Sequence, residues 1–303
     1  MSPGDLASAH SRSHHPRFDF DYWAKHFPVD TSKASKRKPV YRTKDGELVD
    51  LREVNSPIEL AESEQVRWDL ARRLRLRGKP ADIFVFREGE PPSPYLTKFG
   101  GRPYWPVGRP VPLDESGNPM RFIGQLCFLD SLDIIDLELP GEVLVIFDSW
   151  APTQGHERYE SFSESKAAVW VTRAEVEASG MASGLDSYLN FVAHGQIHRT
   201  MDYHARRAFY YLAQPALAAT RVGRGGDHPQ RRPDEAPINE VGCVYSFRAP
   251  RVWPDPADPH TLKDHRDYEH WTDRFMEIMI GDVGGMYFNL EDDGTVSIDD
   301  SCG

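Results

Sequence analysis

The sequence predicts an α+β fold: strand-rich, with mixed or antiparallel sheets and a few peripheral helices. Three observations predict it. Twenty-four prolines and 23 glycines in 303 residues favour many short strands joined by turns. Several apolar runs of five to ten residues are bounded by Gly, Pro or Asp, as strands are. One stretch, "SPIELAESEQVRWDLARRLRLRGKP", carries start and stop signals for a helix.

Residues 1–51 are expected to form a flexible, partly basic arm, with nine Lys/Arg against seven Asp/Glu in the first fifty residues. Residues 1–17 are small, polar and His-rich, a composition that buries little and stays disordered. "FDFDYWAKHFP" (18–28) has aromatics able to dock on the body, and "TSKASKRK" (31–38) reads as a solvated basic tether. The rest, 52–303, is expected to be a single α+β domain.

The helix comes first, over 52–80, as a possible addition to the core. Ser56 and Glu59 have capping-box spacing and Pro57 takes the first helical position. Glu59, Glu62 and Glu64 lie near its start and Arg72, Arg73, Arg75 and Arg77 near its end, each sign opposing the macrodipole. Leu60, Trp68, Leu70 and Leu74 give the apolar face. Gly78 supplies a C-terminal stop and Pro80 lies beyond it.

Strands are expected in "DIFVF" (82–86), "MRFIGQLCFLD" (120–130), "GEVLVIFDSW" (141–150) and "AAVWVT" (167–172). The second has apolar residues of both parities, Phe122, Leu126 and Phe128 against Ile123, Cys127 and Leu129, so it should be covered on both faces. A short helix follows in "RAEVEASG". "LDSYLNFVAHG" and "DYHARRAFYYLAQPALAA" read as helical, 221–239 as a polar loop, and "HRDYEHWTDRFMEIMI" as a helix start merging into a strand. "GGMYFNLEDDGTVSID" closes the chain as a hairpin, with Asp293-Gly294 in a type I′ turn.

The glycine- and proline-rich stretch "TKFGGRPYWPVGRPVPLDESGNPM" (97–120) is a connector between strands, not a phosphate loop. It has neither G-x-x-x-x-G-K-[ST] nor G-x-G-x-x-G between a strand and a helix. Its prolines remove the N–H donors an anion nest needs. Pro103 and Pro106 stiffen it, and Gly100-Gly101 permit the bend.

The formal net charge of −11 is uneven: residues 281–303 hold six acidic side chains and no basic one. Such a body is expected to bind no nucleic acid, which demands a basic surface. It suits solubility or a basic protein partner. No apolar run approaches the ~20 residues a membrane helix needs, and the first twenty residues lack an apolar signal segment. The expectation is a cytoplasmic protein that does not engage membranes. Cys127, Cys243 and Cys302 form no CxxC pair, which argues against zinc ribbons and thioredoxin-like chemistry.

The connector also carries a resemblance. Gly100, Gly101, Pro103, Trp105, Pro106, Pro119, Met120, Gln125, Leu126, Pro140, Gly141 and Phe147 resemble, in order, the YwqG-like family of uncharacterised bacterial proteins. So do Gly281, Asp282, Gly285, Tyr287 and Phe288 near the end. These segments cover roughly a quarter of the chain. The N-terminal extension, residues 151–270 and the ending "EDDGTVSIDDSCG" depart from the pattern. The resemblance implies a fold rich in antiparallel strands, no established activity and no cofactor. It also implies a protein-binding role of the immunity or antitoxin type.

No catalytic residue is assigned. Metal candidates are His194 and His198, at i and i+4 on one helix face, with Asp202 or His204 completing a site. Gly195 stands where a zinc protease motif needs Glu, and surface or capping histidines are the plainer reading. Asp264, His265 and His270 are a looser group. Cys127 within an apolar strand reads as an inert core thiol. Gln125 must have its amide satisfied on a covered strand, by a neighbouring loop or by a ligand. The alternative to a binding module is therefore an enzyme or small-ligand binder. Its pocket would lie between the Gly-Gly-Arg-Pro loop and the C-terminal hairpin, lined by Arg102, Trp105, Gln125 and Asp282. Arg102 would pair an anion there and Trp105 would stack.

Overall fold

A computed structural model of the chain describes residues 13–26, 41–42, 48–49, 65, 72, 78–149, 165–185, 187, 189–203, 220–223, 239–251, 253, 275–278, 280 and 284–301. It corrects the fold class. The protein is mostly β, and among the described residues only two α-helices longer than one residue occur, α1 (Phe20–His26) and α2 (Arg173–Ser179).

The strands are β1 (Tyr41–Arg42), β2 (Leu48–Val49), β3 (Gly78–Glu88), β4 (Lys98–Phe99), β5 (Arg121–Cys127), β6 (Val143–Asp148), β7 (Lys166–Val171) and β8 (Ala193–Tyr203). They continue with β9 (Arg221–Val222), β10 (Glu240–Tyr245), β11 (Phe247–Pro250), β12 (Phe275–Ile278), β13 (Gly285–Leu290) and β14 (Val296–Ser301). Ten of them form one sheet, in the order β14-β13-β10-β9-β3-β8-β4-β5-β6-β7. Every pair in it is antiparallel, where mixed sheets had been admitted. The sheet curls until its two edges approach, and Lys166 at the start of β7 bonds Asp300 of β14. This nearly closed barrel leaves few edge groups unpaired.

The barrel's interior is aromatic and apolar: Phe84 and Phe86 of β3, Phe99, Ile123, Leu126, Phe128, Leu144, Ile146, Trp170, Met286 and Phe288. A second layer forms outside β5–β7. There Val143, Val145, Phe147 and Val171 are capped by Tyr104, Trp105 and Met120 from the connector and Val176 of α2. β5 and β6 are thus buried on both faces, as the double parity of β5 predicts.

Several local expectations change; among them, Arg221–Val222, read as the start of a polar loop, form β9. β3 starts at Gly78, so Gly78 and Pro80 lie in a strand and the helix expected over 52–80 cannot run to 80. Of the expected helix, Gln65 and Arg72 are helical and the rest lies outside the described residues. The "LDSYLNFVAHG" segment is not helical: its described residues are irregular up to Val192, and β8 then begins. "DYHARRAFYYLAQPALAA" begins as strand at Asp202 and Tyr203, its remainder lying outside the described residues. Strand pairing over eleven positions with β3 overrides the local helical pattern.

The C-terminal hairpin forms, but with a longer turn. Leu290 pairs Val296, Glu291 N–H donates to Thr295 O, and Gly294 N–H to Glu291 O. Gly294 takes the left-handed position, at φ +83°. This is a three-residue loop ending in a glycine bulge, not a two-residue type I′ turn. α2 keeps its expected place and has a full capping box: Thr172 Oγ1 accepts Glu175 N–H, and the Glu175 carboxylate accepts Thr172 N–H.

Candidate interaction site

The connector after β4 is built for a corner. Gly100 and Gly101 have φ of +75° and +67°. A Cβ on Gly100 would lie 1.9 Å from Phe191 O, so no side chain fits. Gly100 N–H is already used, donating to Ile123 O at 2.8 Å. The loop is therefore strand punctuation, as its prolines suggest.

The four residues expected to line a pocket are distributed as follows. Gln125 is fully buried. Its Oε1 accepts Tyr104 N–H at 2.8 Å, and its Nε2 donates to Pro94 O at 2.8 Å and Leu96 O at 2.9 Å. Both of its N–H groups hold neighbouring loops to β5. Trp105 is 1% exposed and packs edge-on to Phe147, with centroids 5.0 Å apart. Its Nε1 donates to Arg109 O, and the Arg109 guanidinium covers its ring at 4.8 Å. Arg102 is exposed. Asp282 lies outside the described residues.

The metal candidates are corrected on geometry. His194 and His198 lie on β8, not on a helix. Four residues along a strand span about 13 Å, too far for two nitrogens to share an ion at about 2 Å each. His194 Nδ1 bonds Gly89 O at 2.9 Å, and the His198 ring stacks on Phe20 at 5.1 Å. His204, Asp264, His265 and His270 lie outside the described residues, as does the side chain of Asp202. Among the described residues no group of three or more His, Cys, Asp or Glu could hold a metal. Burial pushes the thiols of Cys127 and Cys243 up to about 12, which suits inert core cysteines.

A different constellation, unread in the sequence, sits where the N-terminal segment meets the barrel. β4 pairs only Lys98 and Phe99 with β8, while β8 continues to Tyr203. Residues 16–18 take over the vacated lane: Ile197 N–H donates to Pro16 O at 2.9 Å and Phe18 N–H to Ile197 O at 3.0 Å. Arg17 forms the parallel bridge to Ile197. Residues 13–26 of the arm expected to be flexible are therefore packed, with His15, Phe18 and Trp23 buried. Phe18 and Trp23 stack at 6.3 Å, and Trp253 meets both edge-on, as their aromatic character foretells.

Asp130, just beyond β5, anchors this lane. Its Oδ1 accepts His14 N–H at 2.7 Å and its Oδ2 accepts His15 N–H at 2.8 Å. His15 Nδ1 lies 2.6 Å from Oδ2 and His14 Nδ1 3.0 Å from Oδ1. Burial works to raise the Asp130 pKa. The His15 ring and the two backbone donors outweigh it and hold the carboxyl well below the usual range.

On its far side His15 Nε2 faces Thr97: it accepts the Thr97 N–H at 3.0 Å and lies 3.0 Å from Oγ1. A backbone donor there makes Nε2 the acceptor and puts the ring proton on Nδ1, toward Asp130. Hydroxyl, imidazole and carboxylate thus have the connectivity of a nucleophile, base and orienter. Yet Thr97 is fully buried and its Oγ1 accepts Cys127 N–H at 2.9 Å. The geometry is that of a latch.

A second buried group lies beside it. Arg199 Nε and Nη2 donate to the two oxygens of Asp82 at 2.8 and 2.7 Å, and Nη2 also to Asp133 Oδ1 at 2.9 Å and Asp130 O at 3.1 Å. Ser131 Oγ donates to Asp82 at 2.7 Å. Burial opposes the Arg199 charge, but the bonds to Asp82 and Asp133 raise its pKa further still. This network pins the loop after β5 across one end of the barrel, where Ile134, Leu137 and Leu139 pack on the interior core.

At the sheet margin the hairpin of β13 and β14 exposes Glu291, Asp292, Asp293, Asp299 and Asp300. Asp293 is held below the usual carboxylate range by Thr295, whose hydroxyl and N–H both donate to it.

Residues 97–213 match the family model described as Domain of unknown function (DUF1963). The match runs from the latch residue Thr97 through β8, and so includes part of the middle region that the sequence pattern left unassigned. The chain matches no curated protein. No helix among the described residues is long and apolar enough to cross a membrane.

Proposed function

We propose that the protein is a non-enzymatic protein-binding module of the YwqG-like kind, with a basic protein as partner. An immunity or antitoxin role, in which it neutralises a basic effector, fits this reading. The observation that carries it is the exposed carboxylate set on the β13–β14 hairpin, in a chain of net charge −11. Clustered negative charge steers a basic partner to one face and accelerates encounter. The polar atoms of Gln125 and the ring of Trp105 are already engaged within the protein, which leaves them little to offer a small ligand.

The test is affinity capture from the native host, followed by association measured at two salt concentrations. A stoichiometric basic partner should be recovered, and raising salt from 50 to 200 mM (roughly halving the screening length) should slow association. Replacing Asp292, Asp293 and Asp299 by Lys should slow it further. Recovery of no stoichiometric protein, or association indifferent to both changes, sinks the reading.

A further inference from the structure

The lane between β8 and β5 is filled by a segment far in sequence from the barrel strands: α1 ends at His26 and β3 begins at Gly78. We infer that this lane is an acceptor for an extended peptide, occupied in the free protein by residues 13–18. A partner enters by presenting its own extended segment, with a histidine at the place of His15 and an aromatic three residues later. This deepens the protein-binding reading and rests on it.

Three features make the lane selective. β8 offers the N–H and O of Ile197 to one edge of the incoming strand, the backbone bonding used in strand addition. Asp130 stands at its entrance as a buried carboxylate that meets four nitrogen groups of His14 and His15. It selects donors and a cationic or neutral segment, and rejects an acidic one. Beyond it, Thr97 N–H provides a fixed donor inside the barrel wall that only an acceptor nitrogen or oxygen can satisfy. The His15 ring meets this need while contacting Phe84, with centroids 5.2 Å apart. An imidazole, donor on one side and acceptor on the other, fits both demands. The arm also carries Arg17 beside its two histidines, matching the negative charge of Asp130.

The full-length chain serves for the experiment. A fluorescent peptide with the sequence of residues 13–26 is titrated against wild type and against His15→Ala, whose own arm is weakened but whose lane is untouched. Removal of the tethered competitor should tighten peptide binding roughly tenfold or more. The gain should vanish with a His15→Ala peptide, and when Asp130→Asn is added to the protein. Equal, or no, binding by the folded His15→Ala protein overturns the proposal. As a measurement independent of that variant, hydrogen exchange on wild type should show the Phe18 and Ile197 amides opening faster than those of Phe84 and Val85. Exchange of all four only through global unfolding makes the arm a permanent strand, and overturns it equally. Because the peptide is the chain's own, failure here leaves the capture of a basic partner standing or falling by its own test.

Discussion

Thr97 donates its backbone N–H to Nε2 of His15, 82 residues earlier in the chain, at 3.0 Å. This bond fixes the tautomer that turns the other ring nitrogen to Asp130. It joins the N-terminal segment around His15 to the strand before the glycine corner.

Asp130→Ala should release the arm. It leaves two backbone donors and a buried ring N–H unpaired, at a cost of about 1–3 kcal/mol for each buried group affected. Thermal melting should record a lower midpoint, and tryptophan fluorescence should report exposure of Trp23. The pH dependence follows from the depressed carboxyl. Its stabilisation is complete above the ordinary carboxylate pKa of about 4 and is lost as pH falls toward the depressed value. Wild type should therefore lose stability on acidification, and Asp130→Ala should lose less.

Gln125→Leu should damage the fold rather than a binding function. It strands Tyr104 N–H and two loop carbonyls in a fully buried site, costing about 2–4 kcal/mol. Denaturant titration should show a lower midpoint, with the slope unchanged if the barrel remains the folded unit.

Arg199→Ala leaves Asp82 buried and charged, and should destabilise by about 3–5 kcal/mol. Adding Asp82→Leu should recover part of the loss, since the orphaned charge is then gone. A chemical-denaturation double-mutant cycle reads the coupling directly.

Gly100→Ala meets both a positive φ and the Phe191 carbonyl. The corner must shift to admit it, and a loss of more than about 1 kcal/mol is expected, against a smaller loss for Gly117→Asn, where φ is also positive but the turn is open.

Alkylation at pH 8 should spare Cys127 and Cys243 in the folded protein, since their thiols are pushed up to about 12. Peptide mapping should find both modified only after denaturation.

Several strands of the central sheet were legible, but not its all-antiparallel pairing or its closure into a barrel. β5 announces itself by apolar residues of both parities, β6 by its apolar run, and α2 was read as a short helix, though its capping box of Thr172 and Glu175 went unread. Gly100 and Gly101 mark a corner because only glycine takes those dihedrals without cost. β8 was misread because Leu185, Leu189 and Val192 have helical spacing just upstream. Within it, buried Ala193, Gly195 and Ile197 alternate with the half-buried His194, Gln196 and His198, a period-2 signal that was present. The latch was not legible. Nothing local distinguishes His15 from the other histidines of a polar leader, and its partners Thr97 and Asp130 are set by sheet pairing far along the chain.

The arm's place in the wall also sets an order of events during synthesis. Residues 13–18 leave the ribosome well before the residue that receives them, Ile197, has been made. Until then their aromatic neighbours have no berth. The arm therefore cannot seat before β8 has been made, and it waits on about 180 residues of later chain to be housed.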